Sequence, residues 1–180
     1  MATLSANTPR NWELGNDNHI PVIASDIIYE GAAVGRVIAT GHARPLAATD
    51  KFAGFALQQA DNSSGSAADI NVLVSKRGSV QLSVSGAVIT DVGQPVYATD
   101  DNAFGFTPVS AVFIGFVRRF VSAGVAVVEY DADAFVDPYA HWGVREALAG
   151  TKTFDAQDTG KAFFVTAAGD SDALTFPAIA

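Results

Sequence analysis

Residues 19–131 are a succession of short apolar segments separated by turn residues, and this pattern constrains the fold most. The intervening pieces "NSSGS", "KRG", "TDVG", "TDDN" and "SAG" have the composition of tight turns. Val, Thr, Ser and Phe recur, which also favours strands. The pattern predicts a mainly β fold, a small barrel or sandwich of eight strands. The predicted strands are 20–24, 35–40, 52–58, 70–75, 79–84, 95–99, 112–121 and 125–131.

Two of these segments are alike: "KFAGFALQQ" at 51–59 and "VFIGFVRRF" at 112–120 share the pattern Phe-x-Gly-Phe. A second similar pair, "VGRVIAT" and "VGQPVYAT", precedes them, and the offsets are 58 to 61 residues. The similarity predicts an internal repeat of a strand-turn-strand unit; chance similarity between simple strands is the alternative. Gly54 and Gly115, inside the two Phe strands, predict a bulge or the close approach of another backbone.

The second Phe strand is apolar at odd and even positions alike. Phe113 and Val117 fall on one parity and Ile114 on the other, which predicts that both faces of the strand are covered. Arg118 and Arg119 must then point to opposite faces, so that at least one lies against packed surface and needs a partner. A contact between subunits and a position at the rim are both compatible with this pattern.

Residues 1–19 are polar, lack periodicity and contain Pro9. They predict a flexible arm with no fold of its own, carrying two apolar anchors, Trp12 and Leu14. A disordered tail is the alternative, because termini without periodicity are often unstructured.

The sequence after Asp131 changes character. Asp137 is a candidate N-cap, Pro138 suits the first helical position and Gly150 would follow the last turn. The predicted helix has about 12 residues, which is marginal in isolation, so its Tyr139 and Trp142 require a surface to pack on.

The last thirty residues return to strand signals. Turns at "DAQDTGK" and "AAGDSD" flank the strands "AFFVT" and "ALTFPA", which predicts a β-hairpin. A single hairpin is barely stable in water, so this piece needs the main domain or further copies of the chain. We therefore expect an oligomer.

The net charge of −8 argues against a nucleic-acid partner, since the chain has no basic stripe to follow a phosphate backbone. The chain has no cysteine, which excludes disulfides and thiolate-bound zinc. The N-terminus shows no leader peptide, and no apolar run approaches the ~20 residues of a spanning helix. The sequence predicts a soluble protein made in the cytoplasm, without a membrane partner.

Candidate catalytic and metal-binding residues are scarce. His19, His42 and His141 lie in different segments without a second ligand at helical or strand spacing. "DADAFVD" resembles the start of a calcium loop, but Val136 and Trp142 stand where such a loop needs Gly and Glu. No nucleophile elbow, phosphate loop or zinc-protease motif occurs. We expect no catalytic residue, no metal and no cofactor.

Residues 26–131 resemble the capsid decoration (cement, or head-stabilising) proteins of tailed bacteriophages. The resemblance covers about 105 of 180 residues in the same order. It rests on "EGAAVG", "ARPL", "DKFAGFA", "TDVGQPVYAT" and "SAGVAVVE".

The resemblance implies a β-tulip-like domain over 20–131, preceded by an arm at 1–19 that binds the capsid through Trp12, Leu14 and Ile20. It implies a structural homotrimer on the outer surface of the virion, with the major capsid protein as its partner. Arg118, Arg119, Tyr139 and Trp142 are candidates for contacts between subunits. Residues 132–180, the helix and hairpin extension, lie outside the resemblance.

Two other functions stay open at this point. The extension could display an adhesion or glycan-binding surface, with Tyr139, Trp142 and Phe154 as a stacking platform. An enzyme acting on cell wall through acidic residues is the third hypothesis, and no residue spacing supports it.

Overall fold

The structure is a computed structural model that describes residues 14–138 throughout and, after them, only the backbone of four short strands. Within these residues the chain is mainly β, which confirms the predicted class. The helical content of the described part is one 3-10 turn, η1 (Ile89–Asp91).

The first half of the domain, residues 17–75, forms an antiparallel five-stranded sheet and one small strand pair. The strands are β1 (Asp17–Pro21), β2 (Ile27–Ile28), β3 (Ala33–Arg36), β4 (Ala43–Pro45), β5 (Lys51–Ala56), β6 (Ala60–Asp61) and β7 (Asn71–Ser75). The order in the sheet is β1-β7-β5-β3-β4, and β2 pairs separately with β6.

The second half, residues 77–131, forms another antiparallel five-stranded sheet. Its strands are β8 (Arg77–Ser83), β9 (Pro95–Ala98), β10 (Phe104–Gly105), β11 (Val112–Ser122) and β12 (Val125–Asp131). The order is β10-β9-β11-β12-β8. Read from the opposite edge, this order places β8, β12, β11, β9 and β10 where the first half has β1, β7, β5, β3 and β4.

The two halves repeat each other in register as well as in order. Between β3 and β5, Val34 pairs with Gly54 and, after a bulge, the next pair joins Gly35 and Phe52. Between β9 and β11, Val96 pairs with Gly115 and, after a bulge at the same place, Tyr97 pairs with Phe113. The predicted internal repeat is therefore confirmed, and it extends over the whole sheet rather than over one strand-turn-strand unit.

Each sheet is curled, because its two edge strands meet at one end. A parallel bridge joins Val22, just after β1, to Ala43 in β4. The equivalent bridge in the second half joins Val84, just after β8, to Phe104 in β10. Curling lets a five-stranded sheet enclose side chains on its inner face.

The two Phe strands contain glycine because a neighbouring backbone passes too close for a side chain. A Cβ atom on Gly54 would collide with the carbonyl oxygen of Ser75. A Cβ atom on Gly115 would collide with the carbonyl oxygen of Glu129, the equivalent contact in the second half. The predicted bulge and close backbone approach are both confirmed.

The interiors of the halves correspond residue by residue. The first interior contains Ile20, Val22, Val34, Ala43, Ala53, Ala56, Val72 and Val74. The second contains, in the same order, Leu82, Val84, Val96, Phe104, Ile114, Val117, Ala126 and Val128. Phe52 and Phe55 of β5 belong to the second cluster, where the ring of Phe55 lies 4.9 Å from that of Tyr130. These rings join the halves into one folded unit.

The bulge in β11 corrects the predicted alternation. Ile114 and Val117 both face the interior, whereas Phe113 and Phe116 contact each other with ring centroids 5.2 Å apart. A bulge inserts one extra residue, so the parity changes where it occurs. The expectation that both faces are covered holds along this part of the strand.

The described strands after residue 138 differ from the predicted helix and hairpin. Strand β13 (Arg145–Leu148) pairs in parallel with β15 (Ala162–Val165), and β14 (Lys152–Thr153) pairs in parallel with β16 (Leu174–Thr175). The helix prediction is wrong for the four residues of β13, because a neighbouring strand takes their main-chain hydrogen bonds; the rest of that helix lies outside the described residues. The two strands of the predicted hairpin pair with earlier strands instead of with each other.

Candidate interaction surfaces

The chain enters the domain beside the edge of the first sheet. Leu14, immediately before β1, is 95% exposed. The carbonyl oxygen of Gly15 accepts a hydrogen bond from Nη2 of Arg77 at 3.1 Å, which fixes the start of the described chain to the second half. A hollow of about 640 Å³ lies there, lined by residues 14–19 and Leu73.

Of the three predicted arm anchors, only Leu14 is a described surface residue. Ile20 is 2% exposed and packs in the first interior, so the prediction that it binds the capsid is wrong for the folded domain. Strand β1 begins at Asp17 and pairs with β7, which places the last three residues of the predicted arm in the sheet. Trp12 lies outside the described residues.

Arg118 and Arg119 are both exposed, so the prediction that one of them meets packed surface is wrong. A second bulge, between Val117 and Arg119, is the reason, because it ends the regular alternation of β11 at this point. Arg118 Nε lies 3.7 Å from Glu129 Oε2, a loose ion pair between two exposed side chains. Such pairs contribute little to stability, so both guanidinium groups remain available at the surface.

An aromatic face lies on the side of the second sheet that carries the rings of β11. Ring centroids are 5.7 Å apart between Tyr97 and Phe113, and 5.6 Å apart between Phe116 and Phe135. The buried Tyr97 hydroxyl donates a hydrogen bond to Asp137 Oδ1 at 3.0 Å. The segment after β12 therefore packs over this face.

A groove of about 550 Å³ runs beside the aromatic face, between the two halves. Its lining includes Phe52 and Lys51 from the first half and Phe113, Phe135 and Asp137 from the second. Tyr139 and Trp142, the predicted contact residues of the extension, lie outside the described residues.

The most buried carboxylate has a structural role. Asp50, with a side chain 1% exposed, accepts hydrogen bonds from Arg44 Nε and Nη2, both at 2.8 Å, and from the Ala47 amide at 3.0 Å. The hydrogen bond from Arg44 to Asp50 raises the pKa of the Arg44 guanidinium above its ordinary value. Gly35 leaves the space that this ion pair fills, since a Cβ there would collide with Asp50.

The segment that resembles a calcium loop begins with a turn, and a second acidic segment, residues 100–103, is also a turn. Asp100 Oδ1 accepts the amides of Asn102 and Ala103, and Asp131 Oδ1 does the same for the turn that follows β12. No group of three or more His, Asp or Glu side chains in residues 14–138 is arranged to hold a metal ion. These carboxylates therefore shape loops.

Asp101 lies in an acidic hollow of about 330 Å³ lined by Tyr29, Glu30 and Asn102. Burial raises the pKa of the Asp101 carboxyl, and the charge of Asp100 adds to the effect. The hollow thus concentrates negative charge beside Tyr29, which is 60% exposed. A cation from a partner would relieve this repulsion.

Sequence reasoning missed three exposed apolar residues around η1: Val88, Ile89 and Val92. A comparison of the two repeated units reveals these residues. Aligning residues 22–34 with 84–96 places Val88 and Val92 opposite two acidic residues of the first half.

No protein-family model matches the chain. The curated proteins likewise include none that matches it. Among the described residues, no helix has both the length and the apolar character needed to cross a bilayer.

Proposed function

We propose that this chain is a structural protein of a phage virion: a homotrimeric capsid decoration protein on the outer surface of the expanded head, bridging neighbouring major capsid subunits. The proposal gives it no catalytic role, cofactor, nucleic-acid partner or membrane partner. The resemblance over residues 26–131 supports it, and so does the compact β domain that these residues form. Its site of synthesis would be the host cytoplasm.

The observation that carries the proposal is the position of Leu14. An almost fully exposed leucine of the predicted arm segment lies just ahead of β1, an edge strand of the described sheet. A segment of this kind can add a strand to the edge of a partner's sheet, using main-chain hydrogen bonds for affinity and apolar anchors for specificity. Three such arms on one trimer bind weakly alone and strongly together.

Deleting residues 1–13 tests this role. We expect the shortened chain to lose binding to expanded heads while keeping its thermal unfolding temperature, because the described core begins after the deletion. Cosedimentation with expanded and immature heads measures binding, and circular dichroism measures folding. Arm-less protein that still saturates expanded heads contradicts the proposal.

A single substitution sharpens the test. Leu14→Ser removes the exposed anchor, whereas Leu57→Ser removes a leucine that is 45% exposed on another loop. We expect the first variant alone to weaken head binding, by about tenfold or more per subunit.

Adhesion through the C-terminal extension is the second candidate, and the aromatic face favours it. Phe113, Phe116 and Phe135 form a continuous partly exposed surface directly before the segment that carries Tyr139 and Trp142. Aromatic faces stack on sugar rings. Glycan-array binding that disappears on truncation after Pro138, with head binding retained, would support adhesion; silence of the full chain would contradict it.

A further inference from the structure

An apolar ridge projects from the second half beside β11. The ridge consists of Val88, Ile89 and Val92, which are 49%, 69% and 52% exposed. The amide of Gly93 donates to the carbonyl oxygen of Val117 at 2.8 Å, so the ridge lies directly against the strand that carries Arg118. Contiguous exposed apolar residues with a polar rim are typical of interaction sites.

The same connection exists in the first half, where a strand covers its middle, Ile27 and Ile28. Gly31 donates to the carbonyl oxygen of Ala56 at 2.9 Å, as Gly93 does to Val117. Strand β6 pairs with β2 there, and Ile28 beneath it is fully buried. The cover comes from the long connection between β5 and β7, residues 57–70.

The second half lacks this cover because its connection is too short. Strands β11 and β12 are joined by the tight turn Ala123–Gly124, which leaves no residues to form an equivalent of β6. In the described domain, therefore, a strand lies over the first of these two equivalent connections but not over the ridge.

The second connection carries apolar residues where solvent exposure favours charge. In the first connection Glu30 is exposed and Asp26 is half-buried, whereas the second connection has the exposed Val92 and Val88 at the equivalent positions. An apolar side chain left in water forgoes a stabilisation of about 25 cal/mol for each Å² of surface that burial would remove from solvent. Apolar residues at the uncovered site point to a partner that supplies the missing cover.

Charge indicates which partner. The ridge is bordered by the exposed Arg118 and Arg119, in a chain whose net charge is −8. A second copy of the chain offers the complementary surface, since the hollow of Tyr29, Glu30 and Asp101 combines an exposed aromatic ring with crowded carboxylates.

We propose that the ridge of one copy, with Arg118 and Arg119, docks on the Tyr29–Asp101 hollow of a second copy. The two surfaces differ, so the contact is head-to-tail and closes into a ring when the rotation between copies allows it. The number of copies, three, rests on the proposed function. The two surfaces rest on the described domain alone.

Ridge variants test the apolar part. We expect the full-length chain to be a trimer at micromolar concentration and Ile89→Asp with Val92→Asp to be a monomer, with association weakened by about 30-fold or more. Ile38→Asp is the matched control, because Ile38 is an isoleucine 79% exposed on a different loop. Light scattering measures mass, and circular dichroism shows that each variant is folded. A monomeric parent chain, or a ridge variant that stays trimeric, overturns the inference.

Charge reversal tests the docking partner. Arg118→Glu with Arg119→Glu should dissociate the trimer, and adding Glu30→Lys with Asp101→Lys, both in the hollow, should restore it in the same chain. Failure to restore the trimer overturns the assignment of the hollow as the counterpart, whatever the ridge variants do.

Head binding separates this inference from the proposed function. A trimer that requires the ridge but never binds expanded heads contradicts the proposed function alone. A chain that binds heads but stays trimeric without the ridge contradicts the inference alone.

Discussion

Glycine at two strand positions is required by a neighbouring backbone rather than by a turn. Gly54 and Gly115 each face a carbonyl oxygen of the next strand at equivalent places in the two halves. The sequence predicted both contacts, because glycine weakens a strand interior and is favoured there mainly where a bulge or another backbone leaves no room for a side chain.

We expect Gly115→Ala to lower the free energy of unfolding by about 3 kcal/mol, because the backbone of β12 must shift to admit the methyl group. Gly105→Ala is the control, since a Cβ there meets only Ser85 Cβ at 4.0 Å, and its expected cost is below about 0.5 kcal/mol. Urea denaturation measures both. Equal costs for the two variants would contradict a contact specific to Gly115.

One surface ion pair predicts a pH dependence. Lys76 Nζ donates to Asp133 Oδ2 at 2.6 Å, and this bond lowers the pKa of the Asp133 carboxyl. A lowered carboxyl pKa stabilises the fold above its ordinary pKa and loses that contribution as the pH falls through the lowered value. Asp133 is largely exposed, so the contribution is at most about 1 kcal/mol.

Asp133→Asn should therefore be less stable than the parent chain at pH 7, and the difference should vanish near pH 2. Thermal unfolding across this range measures it. A difference that persists in acid would show that the side chain acts through packing instead of charge.

Individual side-chain directions were the least predictable feature at this scale. Two of the three register shifts in β11 decide where Ile114, Arg118 and Arg119 point, and an alternating apolar pattern in the sequence does not reveal such shifts. The predicted arm ends at residue 19 because the sequence places the start of β1 at residue 20, three residues too late. Element ends are set by pairing partners that the local sequence does not contain.

Among the elements, the connection between β5 and β7 distinguishes the two halves. Asn62 holds it in place: its Nδ2 donates to the carbonyl oxygens of Ile23 at 2.7 Å and Ser66 at 2.8 Å. Asn62 is 3% exposed, so its amide has to be satisfied by these two protein acceptors.

We expect Asn62→Ala to lower the free energy of unfolding by about 1–2 kcal/mol, because the carbonyl of Ile23 loses the Asn62 donor and the carbonyl of Ser66 keeps only the Asp69 amide. Hydrogen exchange should also accelerate at Ile27 and Ile28, which β6 covers. The exposed Asn102→Ala serves as the control. Unchanged exchange at Ile28 would contradict the covering role of this connection.

Most strands of residues 19–131 were predictable from apolar segments and turns, whereas the elements after residue 138 were not. Caps at Asp137 and Pro138 suggested a helix, but Arg145–Leu148 are a strand because β15 offers them a partner. Capping residues indicate only the helix propensity of an isolated segment. Whether that segment pairs in a parallel sheet depends on residues distant in the sequence.

At the scale of the whole molecule, a cluster of aromatic rings joins the halves. Phe55 lies at the centre of it, with ring centroids 4.9 Å from Tyr130 and 5.4 Å from Phe52. Phe116 occupies the equivalent place in the second half but is only partly buried, against Phe113 and Phe135.

Phe55→Ala should cost about 3–5 kcal/mol and Phe116→Ala about 1–2 kcal/mol, because only the first leaves a cavity between the halves. Urea denaturation followed by circular dichroism and by intrinsic fluorescence should give one coincident transition for the parent chain. Two separate transitions, or equal costs, would contradict a single core shared by the halves.

The repeat itself was predictable from "KFAGFALQQ" and "VFIGFVRRF", but its extent was not. Strands β7 and β12 match in register although their sequences share little beyond alternating Val, because pairing is specified by which face is buried. The ridge was not predicted either. Its exposure follows from the absence of a strand equivalent to β6, which only the first half has.

The paired interiors differ in bulk in a compensating way. Where the first half has Ala43 and Ala53, the second has Phe104 and Ile114, and the first half alone adds the wholly enclosed Ile28. Because protein interiors tolerate neither voids nor crowding, Ala43→Phe would overfill the first interior and Phe104→Ala would leave a void in the second. The two halves are thus not interchangeable. A substitution that leaves the stability of one half unchanged is expected to destabilise the protein at the equivalent position of the other.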